Sequence, residues 1–319
     1  MENRKIQIVA GVLIVLAVVA GLLVALSARK KGHAGSVAAG DSLNRPRGLA
    51  VDASGKVYIA DSKNNRVQVQ DASGKVLLNI GGVEGPGNGQ MRENCDVALA
   101  KDGSVVVADT FHTLDPKGGL PWGRVQVFSP EGKFKLAFGD NGQGSFGTLF
   151  GPRGVAVDSE GSIWLADTGN HRLLKFSAKG DFLMPLGQRG KGKGQFQEPF
   201  GLAVDKADNL YVADRLNYRI QVFAKDGSFK REFKSMGWEE SQASEPYLAI
   251  DDARGLIYAT DTTKNLVHRY KLDGSGHKAI AAGDGGAGFN GPTGIAVRAS
   301  DGVVFVANAG NGTLVTLKP

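Results

Sequence analysis

One cysteine in 319 residues, Cys95, rules out an internal disulfide framework and leaves the redox compartment undecided. It sits in an apolar context, Cys95-Asp96-Val97-Ala98-Leu99, where a buried, inert thiol is the expectation. Histidine is scarce as well: His33, His112, His171, His268 and His277 fall at different points of the chain's repeating pattern. No three of them offer a metal-ligand set, and His112 beside Asp115 lacks a third ligand at convincing spacing. No glycine-rich phosphate cradle joins a strand to a helix; Gly190-Lys191-Gly192-Lys193-Gly194 reads as a turn between repeats. Arginine-rich runs are missing too. The formal net charge of +6 includes the basic residues around the N-terminal apolar run, so no nucleic-acid groove is indicated.

What the chain has instead is a repeat. Strand-like runs close on Ala60-Asp61, Ala108-Asp109, Ala166-Asp167, Ala213-Asp214, Thr260-Asp261 and Ala307-Asn308, and the last three intervals are each 47 residues. Such a period marks a supersecondary unit that buries its apolar face only against its neighbours. The third repeat shows four short runs rich in β-branched and aromatic residues: Val155-Ala156-Val157, Ile163-Trp164-Leu165-Ala166, Arg172-Leu173-Leu174-Lys175-Phe176 and Phe182-Leu183-Met184-Pro185-Leu186. Gly, Asp and Asn turn signals separate them, and none has the length of an ordinary globular helix. Four antiparallel strands in roughly 40–50 residues make a propeller blade. The expected fold is all-β, a six-bladed β-propeller of four-stranded antiparallel blades over residues 45–318.

From Pro46 to Leu317 the pattern resembles the NHL-repeat propellers. The fourth repeat carries it almost without gaps, from Pro199-Phe200-Gly201-Leu202-Ala203-Val204-Asp205 to Asn217-Tyr218-Arg219-Ile220-Gln221-Val222-Phe223. Departures gather in the fifth and sixth repeats, where Asn265-Leu266-Val267 and Gly312-Thr313-Leu314 lack the arginine. The resemblance implies a fold and leaves function open, because its members include enzymes, nucleic-acid binders and interaction modules. Lyase-type propellers hold zinc on channel histidines, which the scattered histidines here do not reproduce. Lactonase-like propellers hold calcium with Glu, Asn and Asp, of which Asn94 and Asp96 are the only hints.

The sixth repeat ends after three strands. Upstream, Gly35-Ser36-Val37-Ala38-Ala39-Gly40-Asp41 echoes Lys278-Ala279-Ile280-Ala281-Ala282-Gly283-Asp284, the outer run after the fifth repeat. Residues 35–39, within a linker over 32–44, are therefore expected to complete the last blade by pairing with Thr313–Lys318.

Ile8 to Leu26 is nineteen residues without a charged or polar side chain. As a helix it spans roughly 28 Å, close to the bilayer's hydrocarbon thickness. The expectation is a transmembrane signal-anchor helix over 1–31 ahead of the propeller, in contact with the bilayer, with a cleaved signal as the competing reading. Positive-inside counting favours a cytoplasmic propeller, whereas the family resemblance to signal-anchored bacterial proteins favours one outside the cytoplasm, and the second is preferred.

Irregularities mark candidate sites. The second repeat carries an insertion at 111–122, whose Phe111, His112, Leu120 and Trp122, with Arg124 behind them, are a candidate protein-docking loop or a cap over adjacent blades. The residue after each repeat's opening position should lie near one mouth of the channel: Arg47, Asn94, Arg153, Phe200, Tyr247 and Thr293. The leading expectation is a membrane-anchored, non-catalytic interaction domain without a cofactor, docking a protein on one propeller face. The alternatives are an extracytoplasmic metal-dependent hydrolase or lyase at the channel, with calcium or zinc, and an RNA-binding propeller stacking bases on Tyr218 and His171.

Overall fold

β-Branched and aromatic residues alternate in runs too short for helices, and in the computed structural model they form antiparallel strands. The structure describes residues 41–111, 122–139, 147–238 and 244–319. Blade 1 is β1 (Pro46–Val51), β2 (Val57–Asp61), β3 (Arg66–Gln70) and β4 (Val76–Gly81). Blade 2 is β5 (Asn94–Leu99), β6 (Val105–Phe111), β7 (Trp122–Phe128) and β8 (Phe134–Phe138). Blade 3 follows as β9 (Val155–Val157), β10 (Ile163–Asp167), β11 (Arg172–Phe176) and β12 (Phe182–Leu186). Blade 4 comprises β13 (Pro199–Val204), β14 (Leu210–Asp214), β15 (Arg219–Phe223) and β16 (Phe229–Lys234). Blade 5 contains β17 (Leu248–Asp251), β18 (Leu256–Asp261), β19 (Leu266–Lys271) and β20 (Lys278–Ile280). Blade 6 has three strands among the described residues, β21 (Pro292–Val297), β22 (Val304–Asn308) and β23 (Thr313–Leu317). Within each blade the strands pair in chain order, innermost first.

The inner strands touch one after another around the ring, and β1 meets β21, so the ring closes at its centre. The core is divided accordingly. Among the described residues six apolar clusters lie one at each blade junction, such as Val106, Val127, Val155 and Ile163 between blades 2 and 3. Tyr58, Val67, Val97 and Val105 do the same between blades 1 and 2, and Leu49, Ile59, Phe305 and Ala307 between blades 1 and 6. No blade buries its faces alone.

The repeated aspartates serve this scaffold. Asp61, Asp167 and Asp214 each accept from the Nε of Arg66, Arg172 and Arg219 at 2.8 Å, and Asp109 from Arg124 at 3.2 Å. Their second oxygens accept backbone N–H groups, as Asn44 donates to Asp61 (2.7 Å) and Phe150 to Asp167 (2.7 Å). A buried carboxylate needs such partners. Where the arginine is lost in blade 6, the acid is lost with it: Asn308 pairs with Thr313. The residues named for base stacking in the RNA reading lie at turns between strands. His171 and Tyr218 sit in the left-handed region (φ 57° and 56°) and end 3-10 turns.

The N-terminal expectations are corrected here. No helix among the described residues is long and apolar enough to cross a membrane, and residues 8–26 lie outside them. The transmembrane helix expected before the propeller, with its bilayer contact and single-pass topology, thus has no counterpart among the described residues. The closing strand at 35–39 also lies outside the described residues.

Candidate functional site at one mouth of the channel

The inner strands begin at one end of the channel, and there they crowd. A Cβ at Gly154 or Gly294 would overlap the carbonyl oxygen of Phe200 or Arg47 on the next blade, and at Gly201 it would stand 2.5 Å from that of Pro246. Glycine at this level is what lets six strands converge. Two blades depart from it. Strand register aligns Asn94, opposite Asp109, with Pro46 opposite Asp61, which puts Cys95 at the Arg47 position and Asp96 at the Gly48 position. Likewise Leu248 opposite Ala259 matches Leu49 opposite Ile59, so Tyr247 also takes a glycine position.

Those two side chains fill the axis. The Tyr247 hydroxyl donates to the Cys95 carbonyl at 2.7 Å, joining blades 5 and 2 on opposite sides of the ring. Asp96 accepts the N–H of Val97 at 2.9 Å and of Val155 at 3.0 Å, next to the bare Cα of Gly48. Burial pushes its carboxyl up to about 8, against the pull of the Val155 and Val97 hydrogen bonds, so Asp96 is protonated at neutral pH. Burial likewise holds the Tyr247 hydroxyl well above the ordinary phenol range, so it remains a donor.

Above this floor lies a ring of charge. Arg47, only 2% exposed, donates through Nη1 to Cys95 Sγ (3.2 Å) and through Nη2 to Glu245 Oε1 (3.2 Å), and pairs with Glu93 Oε1 (3.2 Å). The Arg153 Nη1 reaches the same sulfur at 3.3 Å from blade 3, and its guanidinium lies 5.8 Å from the Phe200 ring centroid. Phe200 and Tyr247 stack edge to face at 5.5 Å. Arg45, half-exposed, stands 3.9 Å from Glu245. Burial lowers the tendency of Arg47 and Arg153 to hold their protons, but their interactions with Cys95 and Glu245 outweigh it and both shift upward. Three guanidiniums against two glutamates leave an excess of one positive charge at this mouth, suited to an anionic group.

The structure thus brings together Arg47, Arg153, Phe200 and Tyr247. Asn94 is buried and bound through Nδ2 to the Arg66 carbonyl (2.7 Å), and Thr293 donates to the Pro46 carbonyl (2.8 Å). The sequence did not mark Glu93, Cys95 and Glu245 for the site, and marked Asp96 only as a hint of calcium. The available signal was the interruption of the Pro-x-Gly pattern by Asp96 and Tyr247. A divalent ion does not fit the donors: both Asp96 oxygens are occupied by N–H groups, and guanidiniums flank the site. Among the described residues no group of three His, Cys, Asp or Glu side chains could hold a metal.

At the blade-2 insertion, Phe111 and Trp122 pair as the last rung of β6 and β7, and His112 and Leu120 lie outside the described residues. Arg124 is committed to Asp109 and to the carbonyls of Pro86 (2.6 Å), Gly87 (3.0 Å) and Gln90 (2.7 Å).

Three stretches, residues 43–69, 151–176 and 196–223, match the NHL-repeat family model. The fold is a six-bladed propeller with NHL-repeat homology. Protein brain tumor of Drosophila melanogaster is 25% identical over 142 residues, 44% of this chain. The match spans 12% of that protein, so its whole-protein activities carry no weight here. A gluconolactonase from Xanthomonas campestris superposes with a TM-score of 0.61 at 17% identity, covering 88% of this chain and 87% of that one. Virginiamycin B lyase from Staphylococcus aureus gives 0.55 at 16% identity, covering 89% and 98%. At these identities the likeness concerns the fold. None of these likenesses supports the expected non-catalytic, membrane-anchored scaffold docking a protein partner, and solved propellers of this shape include proteins named as a lyase and a gluconolactonase.

Proposed function

We propose that the protein is an enzyme of the hydrolase or lyase class, acting on a small anionic molecule at the Arg47–Arg153 mouth of the channel. The observation that carries this reading is the convergence of two guanidiniums from different blades on one sulfur, that of Cys95, next to the buried Asp96 carboxyl. Buried groups with displaced protonation, gathered in a cleft, are the usual mark of chemistry rather than of scaffold. Its propeller fold is shared with proteins named as a lyase and a gluconolactonase, which supports the class.

In this reading Arg153, the more exposed guanidinium, receives the anionic group of the substrate, while buried Arg47 and Phe200 hold it in place from behind. Tyr247 closes the channel beneath, so the substrate enters from one mouth. Asp96, held by the Val97 and Val155 N–H groups, fixes the strand ends that carry Cys95 and Arg153 beneath the substrate. No step is assigned to a metal ion, since the donors do not fit one.

The test is turnover of a panel of lactones, carboxylate esters and carboxylate-bearing elimination substrates by the purified full chain. Arg153→Met should reduce kcat/KM on any active substrate by about 10–100-fold, the loss of a charged hydrogen bond. A panel without turnover, together with carboxylates that leave the melting temperature unchanged, would overturn the proposal.

A further inference from the structure

Blade 5 breaks the scaffold's charge rule in a second way. In blades 2 and 4 a glutamine two residues after the arginine also donates to the buried aspartate: Gln126 to Asp109 at 3.2 Å and Gln221 to Asp214 at 3.1 Å. In blade 5 Leu266 takes the arginine position opposite Asp261, and His268 takes that of the glutamine. His268 is 2% exposed, and its Nε2 stands 3.5 Å from Asp261 Oδ2. Its Nδ1 lies 3.0 Å from Nε2 of His277, at the exposed end of the hairpin before β20. The two rings are tilted by only 26°, with centroids 5.2 Å apart, so their nitrogens meet edge on. Tyr270 backs His277 at 4.9 Å, and its hydroxyl accepts the Met236 N–H at 2.9 Å.

We propose that His268 and His277 form a binding site for a first-row transition-metal ion, apart from the channel mouth and independent of the function proposed there. The chemistry follows from the arrangement. Asp261 Oδ1 accepts the N–H groups of Thr263 (3.2 Å) and Lys264 (3.1 Å), which leaves Oδ2 turned toward His268. A carboxylate facing Nε2 favours the ring proton there and turns the Nδ1 lone pair toward His277. His277 is exposed, so water can take its proton on Nδ1 and free Nε2 as a second donor. Two imidazole nitrogens on a tetrahedral zinc ion are separated by about 3.3 Å. Opening the 3.0 Å gap takes a few tenths of an ångström from the exposed hairpin and a tilt of the His277 ring out of line with His268 Nδ1.

A carboxylate behind a metal-binding histidine orients the ring and raises its basicity. Two imidazoles without carboxylate ligands favour Cu2+, Ni2+ or Zn2+ over Mg2+ or Ca2+. Water completes the coordination. The bound ion would tie the hairpin to β19 and reinforce β20, an outer strand of three residues.

The experiment uses the full chain without an affinity tag, stripped with a chelator and titrated with the chlorides of Zn2+, Ni2+ and Cu2+ by calorimetry and thermal melting. Wild type should bind an equivalent that raises the melting temperature, and His277→Ala should lose that equivalent while remaining folded. Asp261→Asn should weaken binding by about 10–100-fold. The proposal fails if none of the three ions binds wild type at millimolar concentration, or if His277→Ala binds and melts with metal as wild type does.

Discussion

Asp96 shows most directly how one residue changes the chemistry of a repeat. Its folded pKa of about 8 lies above the ordinary carboxylate value, so the native state binds this proton more tightly than the unfolded chain. Its contribution therefore favours folding at low pH and is lost progressively as pH rises from about 4 to about 8. We expect Asp96→Asn to flatten the decline in urea midpoint between pH 5 and pH 8.5. The variant should also cost about 1–3 kcal/mol at pH 5, because an amide cannot accept both the Val97 and Val155 N–H groups. An unchanged pH slope would show that Asp96 is ionised across this range. Arg47 sits in the same site with a different burden. Arg47→Met leaves Glu93 and Glu245 without their buried cation and should cost about 3–5 kcal/mol in urea unfolding. Arg153→Met, at a half-buried position, should change turnover more than stability.

At the level of the strand, close approach decides more than propensity does. Gly294 on β21 is pressed against the carbonyl of Arg47 on β1, the contact that closes the ring between blades 6 and 1. Gly294→Ala should destabilise by about 1–3 kcal/mol or more, since the obstruction is backbone and cannot rotate away. Gly288, where a Cβ meets nothing, is the control: alanine there should change the urea midpoint little. Equal effects at the two positions would mean that the inner strands have room to spread. The pairing of Phe111 with Trp122 makes β6 and β7 the longest strands described. It places the insertion at the end of the blade that carries Asp109 and the mouth residues.

For the whole molecule the consequence is cooperativity. Because each apolar cluster belongs to two blades, removing one blade strips two clusters. A chain ending after Gly283 is expected to lose near-ultraviolet circular dichroism and a sharp urea transition altogether, not to form a five-bladed disc. A cooperative transition of similar midpoint would contradict the shared-core account. The closing strand expected at 35–39 remains a proposal with its own test. A chain beginning at Asp41 should melt at lower temperature than the full chain, and equal melting would remove that strand from the ring.

Much was written in the chain itself. The 47-residue interval, the four short runs per repeat and the recurrent Asp/Arg pairs determined the blades and the scaffold role of those pairs, because period and local turn chemistry act over few residues. Arg47, Arg153, Phe200 and Tyr247 were legible as a mouth for the same reason: inner strands of a ring must converge. The tertiary structure decided the rest. A one-residue offset in blade 2 exchanged Asn94 for Cys95 at the mouth, since register depends on pairing with β6. The meeting of Arg47 with Glu245, and of Tyr247 with Cys95, joins residues 198 and 152 positions apart, and only closure of the ring brings them within hydrogen-bond reach.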